Sequence, residues 1–408
     1  MGLGLHGGGI GTTKFFVEQG AKVLVTDLKS KKELKESLER LKGLPIRYIL
    51  NQHREEDFIN TDLVIKNPAV PINSKYLAIA KENKVPIETD VGIFFELCPR
   101  PIIGVTGTKG KSTTVSLITH FLREQYQNVI LAGNIGESVL EKLNKIKKDS
   151  LVILELSSWQ LAGLKQHRKS PHLAVITNIM PDHLDRYKSM TEYIEDKKLI
   201  FKFQQPDDYL ILNQDDSIVR NFAKETKSKV YFFKGKTPFE SNVSAAQAVA
   251  KLYKIPFQLI KKSLKEFKGL PGRLELVAEI DGIKYINDTY ATNPAATLAA
   301  LNNLPSGKII LIAGGADKNL DFNSLAQTII KKVKAVILLE GTATDKLEKL
   351  IKSRVSRCDN MSKAVKLARE QAQKGDIILL SPASASFGLF RQAGERGEYF
   401  NKAVALLK

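Results

Sequence analysis

Residues 102–115 read "IIGVTGTKGKSTTV": an apolar run, then a turn with Gly107 and Gly110, two lysines and a series of hydroxyls. Glycine at such a turn leaves backbone N–H groups bare, because a Cβ would hold an anion's oxygens away from the amides. A helix beginning near Gly110 adds its dipole, and a lysine reaches the terminal phosphates. Lys111 is therefore expected to be the phosphate lysine and Ser112 the Mg²⁺ ligand, with Gly107, Thr108, Lys109, Gly110 and Thr113 completing the cradle. The strict spacing asks for glycine at 105; Val105 stands there, and Gly104 comes one residue early. An ordinary strand-to-helix turn with a chance Gly-Lys-Ser is the bland alternative, and it leaves the other elements of "TGTKGKST" unexplained. The turn is expected to bind ATP.

Carboxylates follow at strand ends. Glu155 closes the buried run "LVILE", an expensive place for a charge unless something pairs it. A hard cation taking oxygen ligands would do so; a helix cap or an ion pair is the alternative. "TNIMPDHLDRY" brings Asn178, Asp182, His183, Asp185 and Arg186 to another strand end, where His183 could serve a metal, a substrate or the structure alone. Fourteen residues after His183, "YIEDKKLIF" offers Lys197 and Lys198. A desolvated lysine with a lowered pKa is nucleophilic, whereas a solvated one is only a helix surface.

These residues need elements to hold them. Apolar β-rich runs ("AKVLVTD", "DLVIKNP", "PIIGVTG", "SLVILELSS", "LAVITNI", "DYLILN", "IKYIND", "KIILIAGG", "AVILLEG", "DIILLSPA") alternate with helical patterns. That alternation predicts an α/β fold with mostly parallel sheets covered on both faces. Ligands on such sheets sit at the carboxyl ends of the strands, and the residues there are polar, which favours an enzyme. Pro99 and Pro101, then Gly269, Pro271 and Gly272, punctuate the chain before fresh strands. Three domains are expected: 1–99, 100–270 and 271–408. No apolar run reaches the roughly 18 residues of a membrane helix, the start has no secretory pattern, and two cysteines make no disulfide or metal framework. A cytoplasmic protein without membrane insertion is expected. A net charge of +18 admits a polyanion as partner, but the lysines scatter over helix faces and form no aromatic-interleaved patch, so no nucleic acid is expected.

The variant "GVTGTKGKST" resembles the Mur ligase and folylpolyglutamate synthetase superfamily, whose members join an amino acid to a carboxylate. The resemblance runs along essentially the whole chain and favours the D-glutamate-adding ligases of peptidoglycan synthesis. It implies a Rossmann-like N-terminal domain for UDP, a P-loop central domain for ATP and a Rossmann-like C-terminal domain for the amino acid. It also implies UDP-N-acetylmuramoyl-L-alanine and D-glutamate as substrates, ATP and Mg²⁺ as cofactors, and a monomer. In "GLGLHGGG", Gly2, Gly4 and Gly7 form G-x-G-x-x-G, with Asp27 twenty residues on; Leu5, His6 and the Asp27–Leu28 turn would lie at the uridine, lined by Asn67 and Pro68. Asn134, Ser157 and Ser158 would contact the muramoyl portion. Ser112 and Glu155 would hold one Mg²⁺, His183 would help hold a second, and Lys197 (Lys198 the rival) would be carbamylated into a carboxylate-like ligand. Asn242 would face the adenine, Arg273 a phosphate and Asp288 the ribose, with Thr292 nearby. Lys318, Ser386 and Phe387 would form the D-glutamate pocket.

Three positions depart from the family pattern. Gly2 leaves no room for the strand that normally precedes it, so either the start of the chain is misassigned or the first sheet lacks its central strand. Ala245 stands where a second adenine-side asparagine is usual, and Tyr290 where a lysine often stands. A sister ligase using another amino acid is therefore the principal alternative. A dinucleotide oxidoreductase built on "GLGLHGGG" would leave the glycine-lysine turn unexplained, and a regulatory P-loop protein would hydrolyse ATP without ligation.

Overall fold

The computed structural model describes residues 1–5, 7–71, 73–134, 138–182, 187–267, 269–317, 320–352 and 354–407. His6, His183, Asp185, Arg186 and Lys318 lie outside the described residues. The chain divides into two compact units, Met1–Phe267 and Lys268–Lys408.

The first unit carries β1 (Val23–Asp27), β2 (Ile46–Leu50), β3 (Val64–Ile65), β4 (Ile87–Glu88), β5 (Ile102–Thr106), β6 (Val129–Gly133), β7 (Leu151–Glu155), β8 (Leu173–Ile176), β9 (Tyr209–Asn213) and β10 (Lys229–Phe233). Strands β5 to β10 form one parallel sheet in the order β10-β9-β8-β5-β7-β6. Alternate residues feed two separate cores. Ile102, Val152, Leu154, Ala174 and Ile176 face one, beneath the helix Asp90–Leu97; Ile103, Val105, Ile153, Leu173 and Val175 face the other, beneath the helices Lys111–Arg123 and Pro238–Leu252. Burial on both faces is why these strands are unbroken apolar runs. The chain leaves β5 toward β6 on one side and later returns past it to β8, so β5 lies where the strand order reverses. The phosphate turn follows it directly.

The N-terminal region holds two parallel pairs, β1 with β2 and β3 with β4. Among the described residues no strand lies between them. Met1 to Leu3 stand in that place: the Met1 amino group donates to the Ile65 carbonyl, the Gly2 N–H to Thr26 and the Asn67 N–H to Met1. Beyond them a cavity of about 390 Å³ separates β1 from β3, lined by Val23, Val25, Val64 and Phe16 among others.

The second unit contains β11 (Glu275–Ile280), β12 (Ile283–Asn287), β13 (Ile309–Gly314), β14 (Val333–Leu339), β15 (Val355–Cys358) and β16 (Ile377–Leu380), in the order β11-β12-β16-β13-β14-β15. Only β11 runs antiparallel. Two apolar clusters again cover the two faces.

Candidate active site

The turn after β5 is held by its neighbour. Asn178, just past β8, accepts the Lys109 N–H on Oδ1 at 2.8 Å, takes the Thr108 N–H on its carbonyl at 2.9 Å and donates from Nδ2 to the Lys109 carbonyl at 3.0 Å. The Thr177 hydroxyl donates to that carbonyl as well, at 2.6 Å. Gly107 (φ 146°) and Gly110 (φ 85°) occupy backbone conformations that side chains disfavour. A Cβ on Gly107 would stand 1.9 Å from Thr177 Oγ1, and one on Gly110 2.3 Å from Asn242 Oδ1. Lys111 Nζ folds back to the carbonyls of Gly107 and Thr108, at 2.9 and 3.0 Å. Its charge thus sits inside the loop, over the start of the helix Lys111–Arg123, whose first turn also carries Ser112 and Thr113. Lys109 reaches outward to Asp182 at 3.1 Å.

Beside this turn lies the acid. Strand register sets Glu155 opposite Val105 on one side and Gly133 on the other. The Glu155 side chain is 2% exposed, with Oε1 accepting from Asn134 Nδ2 at 3.1 Å and Oε2 meeting no partner among the described residues. A buried carboxylate oxygen left without a donor is costly. A cation would satisfy it, and Ser112 supplies a second hard oxygen donor. The described residues contain no group of three or more His, Cys, Asp and Glu poised around one ion. Ser157 caps the helix Ser158–Ala162 through a capping box with Gln160, fixing the exit from β7.

The two candidate lysines part company. Lys198 is half-buried and held in ion pairs with Glu195 and Glu225 at 3.0 and 2.8 Å. Lys197 is 1% exposed, its Nζ donating to the Gly107 carbonyl at 2.9 Å. Burial, then the nearby charge of Lys111, holds its pKa well below the ordinary lysine value. Tyr193, one helical turn earlier, carries the Lys197 ammonium over its ring at 4.8 Å and shares a hydrogen bond with the Thr108 hydroxyl at 3.0 Å. Sequence reading passed over Tyr193 as a contributor, although its i, i+4 spacing from Lys197 places both on one helix face.

In the N-terminal region Asp27 accepts the backbone N–H groups of Gly4 and Lys29, at 3.0 and 2.8 Å, tying the glycine turn to the end of β1. Leu5 and Leu28 are exposed beside it, and Asn67 and Pro68 line the mouth of the cavity. In the second unit Asp288 directly follows β12; its carboxylate accepts from the Ser381 hydroxyl and the Leu274 N–H, and burial pushes its pKa up to about 6. Arg273 stacks on the Tyr290 ring at 5.4 Å. Thr292 follows in the same loop, Ser386 is buried past β16 and Phe387 is exposed.

A phosphate cradle at the reversal of a parallel sheet, an unsatisfied buried acid next to it and a second α/β unit define a P-loop nucleotide-binding enzyme. Residues 1–89 match the Mur ligase MurD-like N-terminal domain, 105–276 the Mur ligase middle domain and 272–384 the Mur ligase glutamate ligase domain. The chain is 43% identical to the UDP-N-acetylmuramoylalanine--D-glutamate ligase of Roseiflexus sp. strain RS-1, covering 99% of this chain and 97% of that protein. It is 40% identical to the protein of the same name from Borreliella afzelii, covering 100% and 97%. Among solved structures, the UDP-N-acetylmuramate-alanine ligase of Thermotoga maritima superimposes with a TM-score of 0.65 at 18% identity, covering 99% and 98% of the two chains. The MurF ligase of Thermotoga maritima in complex with ADP gives 0.62 at 18%, covering 96% and 97%. The chain belongs to the Mur ligases and, within them, to the UDP-N-acetylmuramoylalanine--D-glutamate ligase family.

Proposed function

We infer that this protein is an ATP-dependent ligase that joins D-glutamate to UDP-N-acetylmuramoyl-L-alanine in peptidoglycan synthesis. The observation that carries the reaction type is the buried, half-satisfied carboxylate of Glu155 alongside the glycine-lysine turn. The substrates follow from the names of relatives matched along the full chain. A cytoplasmic reaction would suit such soluble, charged substrates.

Lys111 Nζ, now bonded to loop carbonyls, would turn to the phosphate oxygens of ATP and neutralise charge as the terminal phosphoryl group departs. The backbone N–H groups of the turn orient the phosphates, and Asn178 keeps that turn in shape. Ser112 and Glu155 fit one Mg²⁺, with His183 and Lys197 assigned to a second; bound there, the ions would neutralise the phosphates and the developing oxyanion. Lys197, whose pKa burial holds well below the ordinary lysine value, is suited as the free amine to attack CO₂: the C–N bond forms, a proton leaves the nitrogen, and the product is a carboxylate-like carbamate. Asn134, Ser157 and Ser158, with Leu5, His6 and Asp27, are assigned to the nucleotide-sugar. Asn242, Arg273 and Asp288 are assigned to ATP, and Lys318, Thr292, Ser386 and Phe387 to D-glutamate. The substrate carboxylate attacks the γ-phosphorus, releasing ADP and leaving an acyl phosphate. The amine of D-glutamate then attacks the acyl carbon, phosphate departs, and the amine loses a proton.

The deciding experiment supplies UDP-N-acetylmuramoyl-L-alanine and ATP with a panel of D- and L-amino acids, reading phosphate release and product mass. D-Glutamate is expected to give the product, and Lys111→Ala to lower turnover on the order of 10³-fold or more. Product formed only with another amino acid would move the assignment to a sister ligase; near-normal turnover by the variant would remove the phosphate turn from the mechanism.

A further inference from the structure

The helix Ala393–Ala405 carries Arg396 in its first turn, and that side chain is wholly buried, at 0% exposure. A cation is poorly placed there, because the helix N-terminus is itself electropositive. Burial alone draws the guanidinium down to about 10, so it remains charged at neutral pH. Among the described residues no carboxylate pairs with it. Its bonds go instead to two strand-end loops: Nε to the Thr289 hydroxyl at 3.2 Å, Nη2 to the Thr289 carbonyl at 2.8 Å and Nη1 to the Ser384 carbonyl at 3.2 Å. Thr289 lies just past β12 and Ser384 just past β16, neighbouring parallel strands. The tie extends to a third loop, since Ala385 and Ala316, past β13, exchange backbone hydrogen bonds at 3.0 and 3.1 Å. The helix closes on this junction at two glycines: a Cβ on Gly397 would stand 2.7 Å from Thr289 Cγ2, and one on Gly394 3.1 Å from the Tyr290 hydroxyl.

Strand-end loops of an open parallel sheet are where its ligands bind, and these belong to the stretch matching a glutamate ligase domain. A buried cation without an acidic partner is destabilising in the empty protein, and its unbalanced field favours an anion bound above. We propose that Arg396 is the positioning residue of the amino-acid pocket, locking the loops past β12, β13 and β16 together and biasing them toward a dicarboxylate. The proposal rests on the D-glutamate reading for the identity of that dicarboxylate; the loop tie stands on the geometry. Asp288, by contrast, is held by Ser381 and Leu274 without Arg396, so the nucleotide assigned to it should be little affected.

The test compares the full-length wild type with Arg396→Lys, which keeps charge but loses the planar fork, and Arg396→Met, which keeps bulk only. Initial rates are measured with each substrate varied in turn, and amide hydrogen exchange is followed at 288–292, 314–317 and 381–387. In Arg396→Met, KM for D-glutamate is expected to rise roughly thirtyfold with kcat and KM for ATP within about threefold, and Arg396→Lys to recover part of the loss. Exchange at Ala316 and Ala385 should quicken about tenfold or more in both variants. Equal rises in every KM, or an unchanged KM for D-glutamate in a folded variant, would overturn the bias toward a dicarboxylate, and unchanged exchange in both would overturn the tie. If Arg396→Met fails to fold, Arg396→Lys alone decides both. A wild type that makes no product with D-glutamate would refute the substrate reading instead, and the exchange arm would still judge the loops.

Discussion

Glu155 and Asp288 are both buried carboxylates, yet they differ in their partners. Glu155 Oε2 has none among the described residues, so replacing it with glutamine removes a buried charge that only the Asn134 amide is seen to meet there. Glu155→Gln should leave the unliganded protein as stable as wild type or more so, by about 1 kcal/mol. It should also abolish the rise in melting temperature on adding ATP with Mg²⁺; a variant that loses several degrees unliganded and keeps the ATP shift would contradict the cation role. Asp288 has both oxygens bonded, but burial outweighs those bonds and raises its pKa from 3.8 to about 6. A raised carboxyl pKa means the folded state binds more protons than the unfolded between these values. Stability therefore falls as pH rises from about 4 to 6, on the order of 2 kcal/mol. Asp288→Asn keeps an acceptor for the Leu274 N–H and has no charge to bury, so its stability relative to wild type should improve between pH 4 and pH 7. Urea unfolding midpoints at the two pH values measure this; a constant difference would show that the carboxyl is not strained by burial.

At the scale of elements, the turn after β5 depends on glycine more than on lysine for its shape. Gly110 takes φ 85° and lies against Asn242 Oδ1, which also accepts from the Thr114 hydroxyl. Gly110→Ala adds a left-handed residue and a 2.3 Å contact. It should cost about 2 kcal/mol and weaken ATP binding at least tenfold. Calorimetric titration of ATP into the variant checks it, and wild-type affinity would mean the turn tolerates a Cβ. This element was legible in the sequence because strand, glycines, lysine and helix follow one another within fourteen residues. The ten apolar runs likewise became β1, β3, β5, β7, β8, β9, β12, β13, β14 and β16. The six remaining strands, β2, β4, β6, β10, β11 and β15, are all outermost in their sheets. An outer strand is buried less completely, so it needs no continuous apolar run and tolerates charge: β10 begins at an exposed lysine, and β15 carries an exposed arginine. The site divides in the same way. Glycines, Lys111 and Glu155 announce themselves by type and position, whereas the contributions of Thr177 and Arg396 arise from contacts 12 to 107 residues away in the chain, invisible to local spacing.

The whole molecule carries a formal charge of +18, and its surface lysines are dispersed: Lys31, Lys32 and Lys35 along one turn and helix start and Lys261, Lys262 and Lys265 on a separate helix are all exposed. Charge spread in this way binds no single partner strongly, but it attracts every anion in proportion to that anion's charge. ATP and a UDP-linked sugar acid are polyanions, so the field should hasten their arrival without touching the chemistry that follows. Screening then separates the two effects, because the Debye length shrinks from about 10 Å at 0.1 M salt to about 3 Å at 1 M. Between 50 and 500 mM KCl, kcat/KM for ATP should fall several-fold while kcat stays nearly constant. A dispersed field also predicts only weak, strongly salt-dependent binding of an oligonucleotide, since scattered lysines do not follow a phosphate backbone. A flat salt profile for kcat/KM would mean that the lysines are neutral to turnover. Submicromolar oligonucleotide binding at 150 mM salt would mean that they are gathered on one face after all.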